Sequence, residues 1–334
     1  MAQVVIQPRT YGSVPRAPRS CEDALVQDSI MGRTLAIVGP TGSGKSEVAL
    51  RIASELGGEI VSCDSVQVFR DFEIGCAKPT AAERYSVPHH LLDVVGWKER
   101  FDAQQYRTRA LAALAEIRGR NRLAVICGGT GLYLRTLRYG LVEAPAADPA
   151  LRAELMAEEM ATPGSLYARL LRIDPETATT TAPQNLVRIV RALEIAQLTG
   201  DRASAVRARH GFAAEEVPLR PIYLQWPAGV LKDRIRRRSM AMLDGGLVEE
   251  VERLLAAGVE PDCRPMCSVG YREACAVVRG EATLDGLAER ISQSTWAYAR
   301  RQRTWFRHER GTEIWEVSNL GVAATRLLLE LRAG

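Results

Sequence analysis

Short apolar runs, each closed by glycine or a polar residue, alternate with stretches of helical periodicity over roughly the first 140 residues. The runs are Leu35-Ala-Ile-Val38, Glu59-Ile-Val-Ser-Cys63 and Leu123-Ala-Val-Ile-Cys127. Their length and β-branched content predict buried strands. Between them, 47–53 and 101–119 repeat apolar residues at the spacing of a helical turn (Tyr106, Ala110, Leu114 and Ile117 in the second), which predicts helices. Such alternation implies a parallel sheet covered on both faces. Functional residues of such a sheet gather beyond the carboxyl ends of its strands. Gly39, Asp64 and the turn carrying Thr130 each follow a strand in that way.

From about residue 140 the pattern changes to helix formers without strand-like runs. Asp148-Pro149 opens one helix and 185–194 forms another. The run Pro221-Ile-Tyr-Leu-Gln-Trp226 then returns the chain to the sheet, and basic helices follow over 231–243 and 284–310. The expected architecture is an α/β fold: a P-loop parallel sheet flanked by helices, with a small helical insertion domain. Its catalytic core takes in 33–140 and 219–320, and the insertion 141–218. Residues 1–32 are polar, contain Pro and Arg, and lack the apolar centre of a signal peptide, so a disordered extension is expected there. Met31, just before the first strand, is a candidate start.

Composition narrows the class. The chain has 334 residues, 46% hydrophobic and 25% charged, as in soluble globular proteins. A net charge of +4 is mild, so any polyanion must be held by local patches. Seven cysteines without a C-x-x-C pair exclude a disulfide framework and a zinc site, and fit reduced thiols in the cytoplasm. No apolar run is long enough to span a membrane.

The candidate chemistry begins at Gly39-Pro-Thr41-Gly42-Ser43-Gly44-Lys45-Ser46, which fits the phosphate-cradling G-x-x-x-x-G-K-[ST] loop between a strand and a helix. Glycines let backbone N–H groups approach an anion, and the helix N-terminus adds its dipole. Lys45 would reach the outer phosphate and the Ser46 hydroxyl would bind Mg²⁺. By its letters alone the motif reads as ATP-binding. Asp64 near a bound phosphate can hold Mg²⁺ or act as a general base, although Asp-Ser after a strand is equally a turn cap. Thr130, within Gly128-Gly-Thr-Gly131, reads out of context as a helix cap. His89-His90 suggests structure or base stacking rather than a metal. Arg234 and Arg238 share one face of a basic helix. Over 296–307, arginines interleaved with aromatics suit nucleic-acid contact.

Taken in order, these segments resemble the tRNA dimethylallyltransferases (tRNA isopentenyltransferases). The match runs from about 33 to 317 through the phosphate loop, Asp64-Ser-Val-Gln-Val-Phe-Arg70, Gly75-Cys-Ala-Lys-Pro79, Pro88-His-His-Leu-Leu-Asp93 and Gly128-Gly-Thr-Gly-Leu-Tyr133. It continues through Val187-Arg-Ile-Val-Arg-Ala-Leu-Glu194, Val269-Gly-Tyr-Arg272 and Arg300-Arg-Gln-Arg-Thr-Trp305. The resemblance implies transfer of a dimethylallyl group from dimethylallyl diphosphate to N6 of the adenosine 3′ of the anticodon, in tRNAs reading codons that begin with U. It implies that the loop holds the donor's diphosphate with Mg²⁺ and that no ATP is consumed. Asp64 is then the general base, and Thr130 and Arg238 act at the bridging oxygen with Arg234 assisting. Gln67 and nearby main chain would read the extruded base. The tRNA contacts implied are Asp64, Ser65, Val66, Gln67, Arg152, Val187, Arg188, Arg191, Cys267, Gly270, Tyr271 and Arg272. A cytoplasmic monomer without membrane attachment is expected. This chain departs from the family at Cys76 (usually Thr), Phe69 (usually Tyr) and Asn185 (often acidic), and it carries no zinc finger of the eukaryotic kind, so a bacterial-type enzyme is expected. Three rival readings share these residues: a P-loop kinase or NTPase, a prenyltransferase acting on free AMP or ATP, and a non-catalytic RNA-binding protein.

Overall fold

The computed structural model describes residues 34–142, 144–211 and 214–333. The extension expected over 1–32 and the candidate start at Met31 lie outside the described residues. The chain divides into two compact units: one runs to Arg138 and resumes at Val217, and the other is Tyr139–Glu216.

The first unit is built on a six-stranded sheet in which every pairing is parallel, ordered β3-β2-β4-β1-β5-β6. Its strands are β1 (Thr34–Val38), β2 (Glu59–Cys63), β3 (His89–His90), β4 (Ala124–Gly128), β5 (Arg220–Gln225) and β6 (Glu313–Glu316). β1 is central, with Val38 level with Gly128 on one side and Tyr223 on the other. Because strand side chains alternate in direction, the two faces feed different cores. Ala36, Val38, Val61, Ile126 and Tyr223 pack with Tyr106 and Ile117 of α3 (Ala103–Gly119). Leu35, Ile37, Ile60, Val125 and Leu224 pack with Val48 and Ile52 of α1 (Lys45–Leu56) and with the last helix, α14 (Leu320–Ala333). Val48 and Ile52 lie one turn apart and are at most 2% exposed, a burial worth about 1.5–3 kcal/mol for each side chain.

The remaining helices of this unit are α2 (Ala81–Ser86), α4 (Gly131–Tyr139), α10 (Ala228–Asp244), α11 (Leu247–Ala256), α12 (Tyr271–Val278) and α13 (Leu287–Arg307). α10 packs on α13, and α11 on α12. The sheet holds more than the sequence pattern gave. The run at 123–127 forms the fourth strand rather than the third, because His89–His90 adds a two-residue edge strand beside β2. β6 adds the opposite edge, and the core expected to stop at 320 continues through α14, which packs on α1. Both histidines are anchored by hydrogen bonds: His90 Nε2 lies 2.7 Å from Glu59 Oε2, and His89 Nδ1 meets Val87 O. Glu59 also receives both ends of the Arg120 guanidinium at 2.8 Å, so Arg120 first and His90 second hold this buried carboxyl down at about 2.

The second unit contains α5 (Pro149–Ala161), α6 (Ser165–Ile173), α7 (Pro175–Thr179), α8 (Leu186–Thr199) and α9 (Ala203–His210) around its own core of Leu155, Leu166, Leu170, Ile189 and Leu193. Asp148 caps α5 with Pro149 at the first helical position, and Asn185 caps α8 through the N–H of Arg188. The Asn185 side chain thus fills the capping position itself. No helix among the described residues is long and apolar enough to cross a membrane.

Candidate active site

β2, β4 and β1 are neighbours in the sheet, so the loops leaving their carboxyl ends meet along one edge. The loop after β1 carries residues 39–46 and runs into α1 at Lys45. Gly42 and Gly44 have φ of 79° and 82°, a left-handed backbone disfavoured for residues with a Cβ. Two side chains hold this loop by its carbonyls. Trp226 Nε1 donates to Ser43 O and Arg234 Nε to Gly42 O, each at 2.8 Å. The first N–H groups of α1 have no intrahelical partner and remain for an anion.

Two adjoining cavities open on the loop. One, of about 370 Å³, is bounded by Gly42, Gly44, Lys45, Ser46, Arg234, Arg237 and Arg238. The other, of about 330 Å³, leads from Thr41, Lys45 and Ser46 past Asp64 to Cys267, Arg272 and Tyr298, with Val66, Ile235, Met242 and Ile291 in its walls. Burial pushes the Lys45 pKa down, Cys127 and Asp64 oppose that shift, and Arg238 adds to it. Burial also lowers Arg238, and Asp64 again opposes. Two cations crowded into one partly desolvated site favour an incoming anion. Arg238 makes no hydrogen bond or ion pair among the described residues. Arg234 stacks on Trp226 at 4.7 Å and braces the loop as well as facing the cavity.

Asp64 turns the chain after β2. Its Oδ1 accepts the N–H of Val66 at 2.8 Å and of Gln67 at 3.3 Å, while its other oxygen takes no internal donor among the described residues. Thr130 does not cap α4 with its hydroxyl, as the isolated motif suggests. Its Oγ1 instead accepts the N–H of Ser65 at 3.1 Å, and its own N–H donates to Cys63 O, which joins the loops after β2 and β4. The hydroxyl proton remains available for donation. Tyr298 lines the same cavity; burial first, and the Asp64 charge after it, push its phenol up to about 12, so it stays a donor.

Several residues expected to read the base or hold RNA have other work. The N–H groups of Ser65, Val66 and Gln67 are taken by Thr130 and Asp64. The Gln67 amide donates to Cys76 O and Ala77 O and accepts from Ser62 Oγ, which commits both of its amide protons. Tyr271 is fully buried: its hydroxyl accepts from Gly75 N and donates to Glu250, whose carboxylate also takes the N–H groups of Glu73 and Ile74. Gly270 is buried and donates its N–H to Glu273. Cys267 and Arg272 are exposed on the cavity wall. In the second unit, Arg152 and Arg191 both clasp Glu194, which is fully buried, whereas Val187 (83% exposed) and Arg188 face solvent. At Cys76, the thiol donates to Phe72 O at 3.0 Å, the bond a Thr hydroxyl would make.

Four contributors escaped the sequence reading: Trp226, Glu250, Lys78 and Gln302. Lys78 has no exposed side-chain surface and is held by Asp93, Glu73 and Phe69 O, fixing the 73–79 loop that walls the cavity. Gln302 accepts Thr41 N–H and donates to Gly129 O, each at 2.9 Å. One signal did exist for it. Ala299, Gln302 and Phe306 form the buried stripe of α13, and a lone amide in such a stripe demands specific partners.

For a metal, Ser46 offers an exposed hydroxyl at the start of α1, with the Cys127 thiol 4.0 Å away. Among the described residues no group of three or more His, Cys, Asp or Glu is placed to hold an ion. A cation at Ser46 would take most of its ligands from water and from the anion it accompanies, as Mg²⁺ can.

Comparison with known proteins adds to this geometry. The family model described as IPP transferase matches residues 67–309. A tRNA dimethylallyltransferase of Myxococcus xanthus is 48% identical over 276 residues, covering 82% of this chain and 89% of that protein. One of an Anaeromyxobacter species is also 48% identical, over 85% of this chain and 94% of its own length. Among solved structures, the tRNA isopentenylpyrophosphate transferase of Bacillus halodurans aligns with a TM-score of 0.64 at 33% identity, covering 90% and 96% of the two chains. A eukaryotic dimethylallyltransferase described as acting on tRNA aligns with a TM-score of 0.71 at 25% identity, over 88% of this chain and 77% of that one.

Proposed function

This chain belongs to the IPP transferase family and is a transferase, and on that premise we propose that it prenylates tRNA. The donor is dimethylallyl diphosphate, and the acceptor is N6 of the adenosine immediately 3′ of the anticodon in tRNAs reading codons that begin with U. The observation that carries this reading is the sharing of one cavity by a phosphate cradle and a carboxylate with an uncommitted oxygen. The wall made by Val66, Ile235, Met242 and Ile291 beside that cradle is of a size and polarity that suits a short branched alkenyl group.

In the proposed reaction the allylic C–O bond breaks, pyrophosphate departs, and N6 forms the new bond to carbon. Charge gathers on the leaving group, where Lys45, Arg238 and the first N–H groups of α1 stabilise it. Thr130 donates its hydroxyl proton toward the bridging oxygen. The exocyclic amine sheds a proton as the bond forms, and the free oxygen of Asp64 accepts it. Mg²⁺, held by Ser46 and diphosphate oxygens, would supply further charge neutralisation at the leaving group. Arg188 and Val187, exposed on the insertion unit, and Arg272, exposed beside the cavity, are the surfaces for RNA. The enzyme would work in the cytoplasm, where tRNA is found.

The test is direct. Protein, unmodified tRNA and labelled dimethylallyl diphosphate are incubated, the RNA is digested, and nucleosides are separated. Labelled N6-prenyladenosine supports the reading. Label that stays in the donor while added ATP is hydrolysed would replace it with the NTPase reading.

A further inference from the structure

We infer that Gln302 is a positioning residue of the transfer site, a single amide that sets the spacing between the phosphate loop and the Thr130 loop. The inference rests on the reaction proposed above. The Gln302 carbonyl accepts Thr41 N–H at 2.9 Å, and its NH₂ donates to Gly129 O at 2.9 Å. The orientation is fixed by chemistry, since a backbone N–H needs an acceptor and a backbone carbonyl needs a donor. The residue is 7% exposed, and buried Ala299 and Phe306 on either side lock its helix into place. Gly129 is shaped for the same contact: a Cβ there would lie 2.3 Å from Gln302 Nε2.

The two loops act on different parts of one ligand. Lys45 and its loop address the terminal oxygens, while Thr130, the residue after Gly129, addresses the oxygen that separates from carbon. The second contact strengthens as the C–O bond breaks, so an error in spacing harms the transition state more than the bound donor. An amide placed only to fill the core would leave that difference untouched.

The experiment compares Gln302→Leu, which removes both bonds, with Gln302→Glu, which keeps the acceptor for Thr41 but loses the donor to Gly129. Gly129→Ala is the third variant, and its methyl displaces the amide from the other side. Each full-length variant is first shown by thermal melting to be folded. The expected result is a fall in kcat on the order of tenfold to hundredfold, with KM for dimethylallyl diphosphate moving by less than about threefold. Inorganic pyrophosphate carries the charge of the leaving group, so its affinity by calorimetry should fall about tenfold alongside kcat. The double variant Gly129→Ala/Gln302→Leu should be no worse than the poorer single one, because both break one bridge.

A Gln302→Leu enzyme with wild-type kcat and pyrophosphate affinity would overturn the inference, as would single losses that multiply in the double variant. Should the wild type bind pyrophosphate without prenylating tRNA, the reaction would be wrong. The pyrophosphate affinities of the variants would then still decide the bridge.

Discussion

Replacing Asp64 with Asn separates its structural job from its proposed catalytic one. Oδ1 shapes the turn after β2 by accepting the N–H groups of Val66 and Gln67. An Asn carbonyl accepts the same bonds, each worth about 1 kcal/mol, so the turn survives. In the proposed reaction the side chain can then no longer take the proton that the adenine amine sheds. A positioned general base contributes roughly 10²–10⁴-fold, or about 3–5 kcal/mol of barrier, and kcat should fall by that amount. The effect on the donor has the opposite sign. Asp64 partly neutralises Lys45 and Arg238, raising the proton affinity of both. Its removal leaves the cradle more positive, so KM for dimethylallyl diphosphate should hold or drop, and tRNA affinity should be retained. The assay is steady-state transfer to unmodified tRNA with the prenylated nucleoside quantified, alongside filter binding and a melting curve. A kcat within about threefold of wild type would refute the general-base role. So would a loss appearing entirely in KM.

Three further outcomes follow from contacts described above. Acid should destabilise the fold through Glu59 and Glu194, both held at about 2 against an ordinary 4.5. Their folded pKa values are depressed, so the stabilisation is complete above about pH 4.5 and is lost as pH falls towards 2; Glu59→Gln should flatten that part of a stability–pH curve measured by urea unfolding. Tyr271→Phe leaves the Gly75 N–H without its acceptor and Glu250 without one donor. It should cost about 1–3 kcal/mol in chemical denaturation while leaving tRNA affinity intact, whereas a weakened RNA complex in a fully stable protein would restore the surface role. Arg188→Ala should weaken tRNA binding and lower the slope of log affinity against log salt by about 1, measured by fluorescence titration, with no change in melting temperature.

How much was legible from sequence depended on whether a residue acts through its neighbours in the chain or across the fold. β1, β2, β4 and β5 announced themselves as apolar runs, and three of them are followed by Gly39, Asp64 and the Thr130 turn. β3 and β6 did not. Two residues of His and four of Glu-Ile-Trp-Glu, paired on one side only, carry no periodicity to detect. Arginines were the least readable residues: Arg152, Arg188 and Arg191 look alike in sequence, yet two are spent on the buried Glu194 and one is exposed. Tyr271 was misread for the same reason, since nothing local says that its ring is buried. Gln302 lies 261 and 173 positions from the two backbone groups it holds, and Trp226 183 from its own, beyond any local pattern.

The phosphate loop is finished entirely by parts of the chain made long after it. Trp226 and Arg234 secure its carbonyls, Gln302 takes the Thr41 N–H, and Leu320 closes against Gly44. During synthesis these contacts can form only once the residues that make them have emerged, the last of them at 320. A nascent chain thus passes through most of its translation with the motif present and these contacts still to be made. Until then, any anion the loop meets is met without those braces.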